Sequence, residues 1–188
     1  MASTEPHAAI AGPPSAWVRR HAALLKPGAR VLDVACGSGR HMTWLASQGC
    51  RMTGVDRDAA ALAGLASVGE TVLANIEDGP WPLAGRQFDG VVVTNYLWRA
   101  LLPILRQSLA PGGVLIYETF AHGHQTVGRP SRPDFLLQPG ELLRAFDGLR
   151  VVAYEDGFEA AGPRFVQRLA AVNVPADAEP PPRHVLAP

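Results

Sequence analysis

One stretch restricts the fold of this chain more than any other. It runs Val31, Leu32, Asp33, Val34, Ala35, Cys36, Gly37, Ser38, Gly39, Arg40 and His41. An apolar run carries a single acid, Asp33, into a small-residue turn at Gly37, Ser38 and Gly39. Met42, Trp44, Leu45 and Ala46 then follow in a helical pattern. Strand, glycine turn and helix form the opening unit of a nucleotide-binding α/β fold. The strand, from Arg30 to Ala35, is apolar almost throughout, as in parallel sheets buried on both faces.

The rest of the chain supplies the other layers. Residues 1–14 are rich in Ala, Pro and Gly without periodicity and are expected to be a flexible segment. Ser15 is an N-cap for a helix carrying Trp17, Val18, His21, Leu24 and Leu25, which Lys26-Pro27-Gly28 ends. After the glycine turn, a helix over about 40–48 stops at Gly49, and Cys50–Val55 is the second strand. An alanine-rich helix follows through Leu65, then a short strand at Thr71–Ala74. Gly79-Pro80 and Trp81-Pro82 make 75–87 a loop where other such folds place a helix. Phe88–Thr94 is the fourth strand, and 96–109 suits a helix broken near Arg99, with Pro103 in a first turn. Pro111-Gly112-Gly113 turns the chain into a fifth strand, Val114–Phe120. The polar, proline-broken stretch 121–139 reads as a lid or binding loop. A short helix at 141–146 precedes strands at 149–155 and 164–174, joined as a hairpin, and 175–188 is a proline-rich tail. The domain proper is expected over 15–174.

The expected architecture is therefore α/β: a Rossmann-like, seven-stranded, mostly parallel sheet, with helices on both faces and one antiparallel strand near the C-terminus. With 188 residues, 47% of them hydrophobic and 18% charged, the chain has enough apolar material for one buried core. Lys plus Arg and Asp plus Glu both total 17, so no net field draws it toward nucleic acid or an anionic membrane. No apolar run is long enough to span a bilayer. Cys36 and Cys50 make no disulfide framework, which points to a cytoplasmic protein. Oligomeric state is not legible.

A glycine turn serves several nucleotides, and three details separate them. The dinucleotide fingerprint places a third glycine where this chain has Met42, and a Walker loop needs a lysine that is absent here. Asp33, one step before the turn, would repel a pyrophosphate but favours a cationic sulfonium and ammonium ligand. Asp56, closing the second strand, is placed to accept ribose hydroxyls. An NAD-dependent reductase is thereby disfavoured.

On these motifs, with Gly54-Val55-Asp56-Arg57 and Leu109-Ala110-Pro111-Gly112-Gly113, the chain resembles the class I S-adenosylmethionine-dependent methyltransferases, of the small bacterial tellurite-resistance-like type. The likeness covers about residues 16–174, and Ala35 stands where that family has glycine. It implies S-adenosylmethionine as cofactor. Asp33 and Gly37 would face its methionine end, within a cofactor set that also takes in Ala35 and Gly39. Asp56 would hold its ribose, Arg57 would flank its adenine, and Asn75, Ile76 and Glu77 would run along the adenine edge. Asn95 and Tyr96 match the position near the reactive methyl. Arg40, at the start of a helix, has a fork of donors for the cofactor carboxylate.

The expected reaction is methyl transfer to a small-molecule acceptor, a thiol, chalcogen, amine or hydroxyl, by in-line displacement. Tyr96, His122 and His124 are the catalytic candidates, since a hydroxyl or amine acceptor needs a base. Glu118 is expected to orient a base or acceptor, or to pair with Arg129 or Arg132. His41 reads as a packed or surface histidine. His122 and His124 lack the companions of a metal site, so no metal is expected. A non-catalytic cofactor-binding module is the competing reading, and the long loop at 121–139 argues against it.

Overall fold

The computed structural model describes residues 12–175, 178–180 and 183–184, so the expectations for 1–14 and for the tail fall largely outside the described residues. The strands are β1 Arg30–Val34, β2 Arg51–Asp56, β3 Gly69–Leu73, β4 Phe88–Thr94, β5 Leu109–Phe120, β6 Arg150–Glu159 and β7 Arg164–Val172. They form one seven-stranded sheet in the order β3-β2-β1-β4-β5-β7-β6. Pairing is parallel from β3 through β5, and β7 runs antiparallel to both β5 and β6. The expected architecture is therefore the observed one, including the lone antiparallel strand.

Two cores follow from the alternation along the strands. Val31, Val92, Val114, Ile116 and Ala170 face α1 (Ala16–His21), α2 (Arg40–Ser47) and α3 (Ala59–Ala63), packing with Trp17, Val18, Met42, Leu45 and Leu62. Leu32, Val91, Val93, Leu115, Tyr117 and Leu169 face the other way. They pack with Leu105 of α4 (Leu102–Gln107) and with Leu142 of α5 (Glu141–Ala145), next to Phe146. Ser15 caps α1, its hydroxyl accepting the Trp17 and Val18 N–H groups. Asp58 caps α3 in the same way. The stretch 75–87 holds no helix; Ile76, Trp81 and Leu83 reach from it into the second core.

Three details depart from the sequence reading. Residues 96–98 lie outside any helix, and only a 3-10 turn at Arg99–Leu101 leads into α4, with Pro103 in its first turn. β5 starts at Leu109 and carries the Pro111-Gly112-Gly113 turn inside it as an irregularity against β4. A Cβ on Gly113 would lie 2.8 Å from the Ala110 carbonyl oxygen and 2.9 Å from that of Phe88, so only glycine admits this approach. The loop after β5 is more ordered than a polar, proline-broken stretch suggests. Leu137 pairs with the strand end through Leu137 N–H to Phe120 O at 3.0 Å and His122 N–H to Leu137 O at 2.8 Å. Leu136 and Leu137 are fully buried, so the base of the loop is stapled by an apolar pair.

Candidate active site

In open α/β sheets the ligand lies beyond the carboxyl ends of the strands, and the polar residues of this chain gather there. β1 is followed by Ala35, whose φ of 52° is left-handed. Gly37 (φ 53°) and Gly39 (φ 73°) carry the turn onward, and Gly39 N–H closes it on Cys36 O at 3.0 Å. A Cβ on Gly39 would collide with the Leu65 side chain, so the glycine lets α3 and its tail press against the turn. Arg40 is half-buried in the first turn of α2.

Asp56 closes β2 and clamps the turn. Its Oδ2 accepts Gly37 N–H at 2.7 Å and its Oδ1 accepts Asp58 N–H at 2.9 Å. A carboxylate has about four lone-pair sites, so each oxygen keeps capacity for a ligand hydroxyl. Asp33 is 1% exposed, and its Oδ2 has no hydrogen-bond partner. Burial pushes its carboxyl up to about 7; the Arg40 guanidinium opposes this, and the Asp56 charge adds to it.

A cleft of about 240 Å³ opens between these ends, lined by Ala35, Asp56, Arg57, Ala74, Asn75, Ile76, Glu77 and Tyr96. The Asn75 side chain turns back on its own loop, accepting Glu77 N–H at 3.1 Å and donating to Asp78 Oδ2 at 2.9 Å. Asn95 is left-handed at φ 54°, a conformation asparagine tolerates, and its N–H donates to Glu118 O at 2.9 Å. Its side chain is exposed. The Tyr96 hydroxyl is buried without a hydrogen-bond partner, and burial, then the nearby Glu77 charge, pushes its pKa up. It is therefore a protonated donor at neutral pH. Tyr117 O–H donates to Tyr96 O at 2.9 Å and sets the backbone beneath it.

Residues 31–113 match the family model of a methyltransferase domain. The fold is that of solved S-adenosylmethionine-dependent methyltransferases. A curated relative, the protein-L-isoaspartate O-methyltransferase of Methylorubrum populi, is 37% identical over 114 residues, covering 57% of this chain and 53% of its own length. The chain thus spans about half the length of the curated relatives it matches. TehB from Haemophilus influenzae superposes with a TM-score of 0.68 at 19% identity, over 82% of this chain and 60% of that one. A TehB-like SAM-dependent methyltransferase from Corynebacterium glutamicum gives 0.59 at 20% identity, over 85% and 87%. At such identities the likeness is one of fold.

The residues gathered here fit S-adenosylmethionine. A buried carboxylate oxygen without a partner suits a cationic ligand, and the acid closing β2 has free lone pairs for ribose hydroxyls. The cleft brings together Ala35, Asp56, Arg57, Asn75, Ile76, Glu77 and Tyr96 from the predicted set. Gly37 and Gly39 stand in the adjoining turn, between Asp33 near the end of β1 and Arg40 at the start of α2, and Asn95 precedes Tyr96. Two catalytic candidates sit apart from this group. His124 is buried, its ring stacked on Phe120 at 4.4 Å and its Nε2 3.0 Å from Arg129 O, so it fastens the loop. His122 is exposed beside the loop's base. Among the described residues no cluster suits a metal ion, and no helix is long and apolar enough to cross a membrane.

One buried group departs from the sequence reading, and a second, His41, is packed as one of its two readings had it but with polar partners that the sequence did not show. Glu118, 1% exposed, engages neither Arg129 nor Arg132; it accepts from Ser15 Oγ at 2.9 Å and from Arg168 Nε at 2.5 Å. Arg132 instead pairs with Asp134 at 2.7 Å. His41 is 2% exposed and holds polar partners on both ring nitrogens. The available signals were the spacing of His41 to Leu45, which puts both on the core face of α2, and the position of Arg168 on the neighbouring strand of the hairpin.

Proposed function

We propose that this chain transfers a methyl group from S-adenosylmethionine to a small-molecule acceptor by in-line displacement. The observation that carries the reading is the buried, unpartnered Oδ2 of Asp33 at the mouth of a glycine turn inside a methyltransferase domain. A carboxylate kept dry and uncompensated is costly unless a cation completes it. When bound, S-adenosylmethionine supplies an activated methyl on a sulfonium leaving group. Asp33 then accepts from the ammonium end, with Arg40 on the carboxylate and Gly37 and Gly39 leaving room for close approach. Asp56 accepts from the ribose, while Arg57, Ala35, Asn75, Ile76 and Glu77 wall the adenine. Asn95 and Tyr96 would flank the reacting end, and the Tyr96 hydroxyl would orient an acceptor by donating to it.

The protein's contribution is alignment and exclusion of water, for which proximity alone supplies about 7–11 kcal/mol in a well-ordered site. A thiolate, chalcogen or carboxylate acceptor needs no base. An amine or hydroxyl does, and His122 has the ring free for it, whereas the Nε2 of His124 is engaged. Carboxylate O-methylation is a second reading, favoured by the isoaspartate methyltransferase relatives. The balanced net charge supports a small acceptor over nucleic acid, and the two free thiols fit a reducing, cytoplasmic setting.

Calorimetric titration with S-adenosylhomocysteine tests the cofactor, and absence of binding overturns the proposal. Methyl transfer is then followed over thiols, amines, phenols and an isoaspartyl peptide. Binding with no turnover on any of them would instead support a binding module.

A further inference from the structure

His41, unused so far, sits where three elements meet. Its Nε2 accepts the Ser15 backbone N–H at 3.1 Å. Burial, then the Arg40 charge, lowers its pKa to about 4, so the ring is neutral. A neutral imidazole that accepts at Nε2 carries its proton at Nδ1. That nitrogen lies 3.4 Å from Thr94 Oγ1, at the end of β4, and 4.0 Å from Asp33 Oδ2. The Nδ1–H therefore donates to a strand-end hydroxyl and faces, beyond hydrogen-bond distance, the buried Asp33 oxygen that has no partner.

The aim of the ring is set from outside the turn. Ser15 is itself fixed, its hydroxyl accepting from Trp17 and Val18 N–H while donating to Glu118. Glu118 is held by Arg168. The tautomer of His41 thus depends on the N-terminal helix being docked.

We propose that His41 is a positioning residue for the cofactor, its Nδ1–H, aimed by the Ser15 amide, fixing the Asp33 carboxylate and the Thr94 hydroxyl in the orientation that receives the ligand's cationic end. This rests on the cofactor reading above. It also makes the start of α1 part of the binding site, although no side chain of α1 lines the cleft.

The two nitrogens are separable by substitution. In His41→Asn the amide group stands where Nδ1 stood and the bond to Ser15 is lost. In His41→Gln the amide reaches toward Ser15 and no donor remains beside Asp33. Binding of S-adenosylhomocysteine by calorimetry is compared with thermal stability for each. The expected result is that His41→Asn stays within about threefold of the parent affinity while His41→Gln weakens by about tenfold, as for the loss of one buried hydrogen bond, that of Nδ1–H to Thr94. Thermal stability runs in the opposite order. Affinities that are equal in the two variants, or that follow their stabilities, overturn the proposal. Should neither variant fold, Thr94→Val serves: a weakened affinity supports the proposal and an unchanged one overturns it. Ring ¹⁵N shifts of His41 in the ligand-free protein give a separate check, expected to show the Nδ1–H tautomer; an Nε2–H tautomer overturns it. A parent that fails to bind S-adenosylhomocysteine overturns the cofactor reading, whereas parental binding with indifferent variants overturns the role of His41 alone.

Discussion

A carboxyl raised to about 7 by burial is half-protonated at neutral pH, and this makes Asp33 the residue through which pH acts on the site. A cationic ligand favours the ionised form, so binding below pH 7 releases a proton. Affinity is expected to fall about tenfold per unit as pH drops below about 7, and to level off above it. Calorimetry at pH 6 in buffers of different ionisation enthalpy reads the released proton directly. Stability of the ligand-free protein behaves otherwise. Because the folded value of Asp33 lies above its unfolded one, its contribution is full below about pH 4 and lost as pH rises to 7. His41, lowered from 6.5 to about 4, contributes in the opposite sense, gaining as pH rises over nearly the same window. The two offset each other. Asp33→Asn removes one side of this balance: urea denaturation at pH 7 is expected to show a protein more stable by on the order of 1–4 kcal/mol. Its affinity for the cofactor is expected to be lower, a trade of function for stability.

At the scale of elements, the glycine turn is built with one residue against type. Ala35 holds φ 52°, where an L-residue costs about 1–2 kcal/mol. Ala35→Gly relieves this but frees the unfolded chain, which costs about 0.4–1 kcal/mol. The net expectation, read by urea denaturation, is a gain of about 0–1 kcal/mol. Gly54→Ala acts in reverse: its Cβ would collide with the Met42 and Cys36 sulfurs and push α2 off β2. A loss of about 1–3 kcal/mol is expected from overpacking. The central strands were legible because β1, β2 and β4 are largely buried apolar runs bounded by turn residues, and the acids at their ends were legible because the fold places ligands there. The loop after β5 was not, since its order rests on Leu136 and Leu137 finding a buried place that only the tertiary structure provides. The polar contacts of the packed His41 were not legible for a related reason: its partners, Ser15 and Thr94, lie 26 and 53 residues away in sequence.

Across the whole molecule, the C-terminal hairpin and the N-terminal helix are tied to the site through one row of charges. Glu118, Arg168 and Glu155 are register neighbours on β5, β7 and β6, and Arg20 of α1 reaches Glu155 at 3.1 Å. Arg168 also donates to Glu159 at 2.8 Å, while the Glu118 side chain is only 2% exposed. Removing Arg168 leaves the buried Glu118 with only the Arg164 guanidinium, at 3.6 Å, as countercharge, a loss of up to about 3–5 kcal/mol. Arg168→Ala is therefore expected to destabilise strongly, and the damage should not stay on the hairpin. Glu118 is the acceptor for the Ser15 hydroxyl that caps α1, so a displaced carboxylate loosens the helix start. Hydrogen exchange at the Trp17 and Val18 amides is expected to quicken more in Arg168→Ala than the global loss of stability accounts for. Glu118→Gln in that background removes the stranded charge while keeping an oxygen for Ser15. It should recover part of the stability and much of the protection at those two amides. If protection follows global stability in both variants, the row of charges holds the sheet together without governing the helix that aims His41.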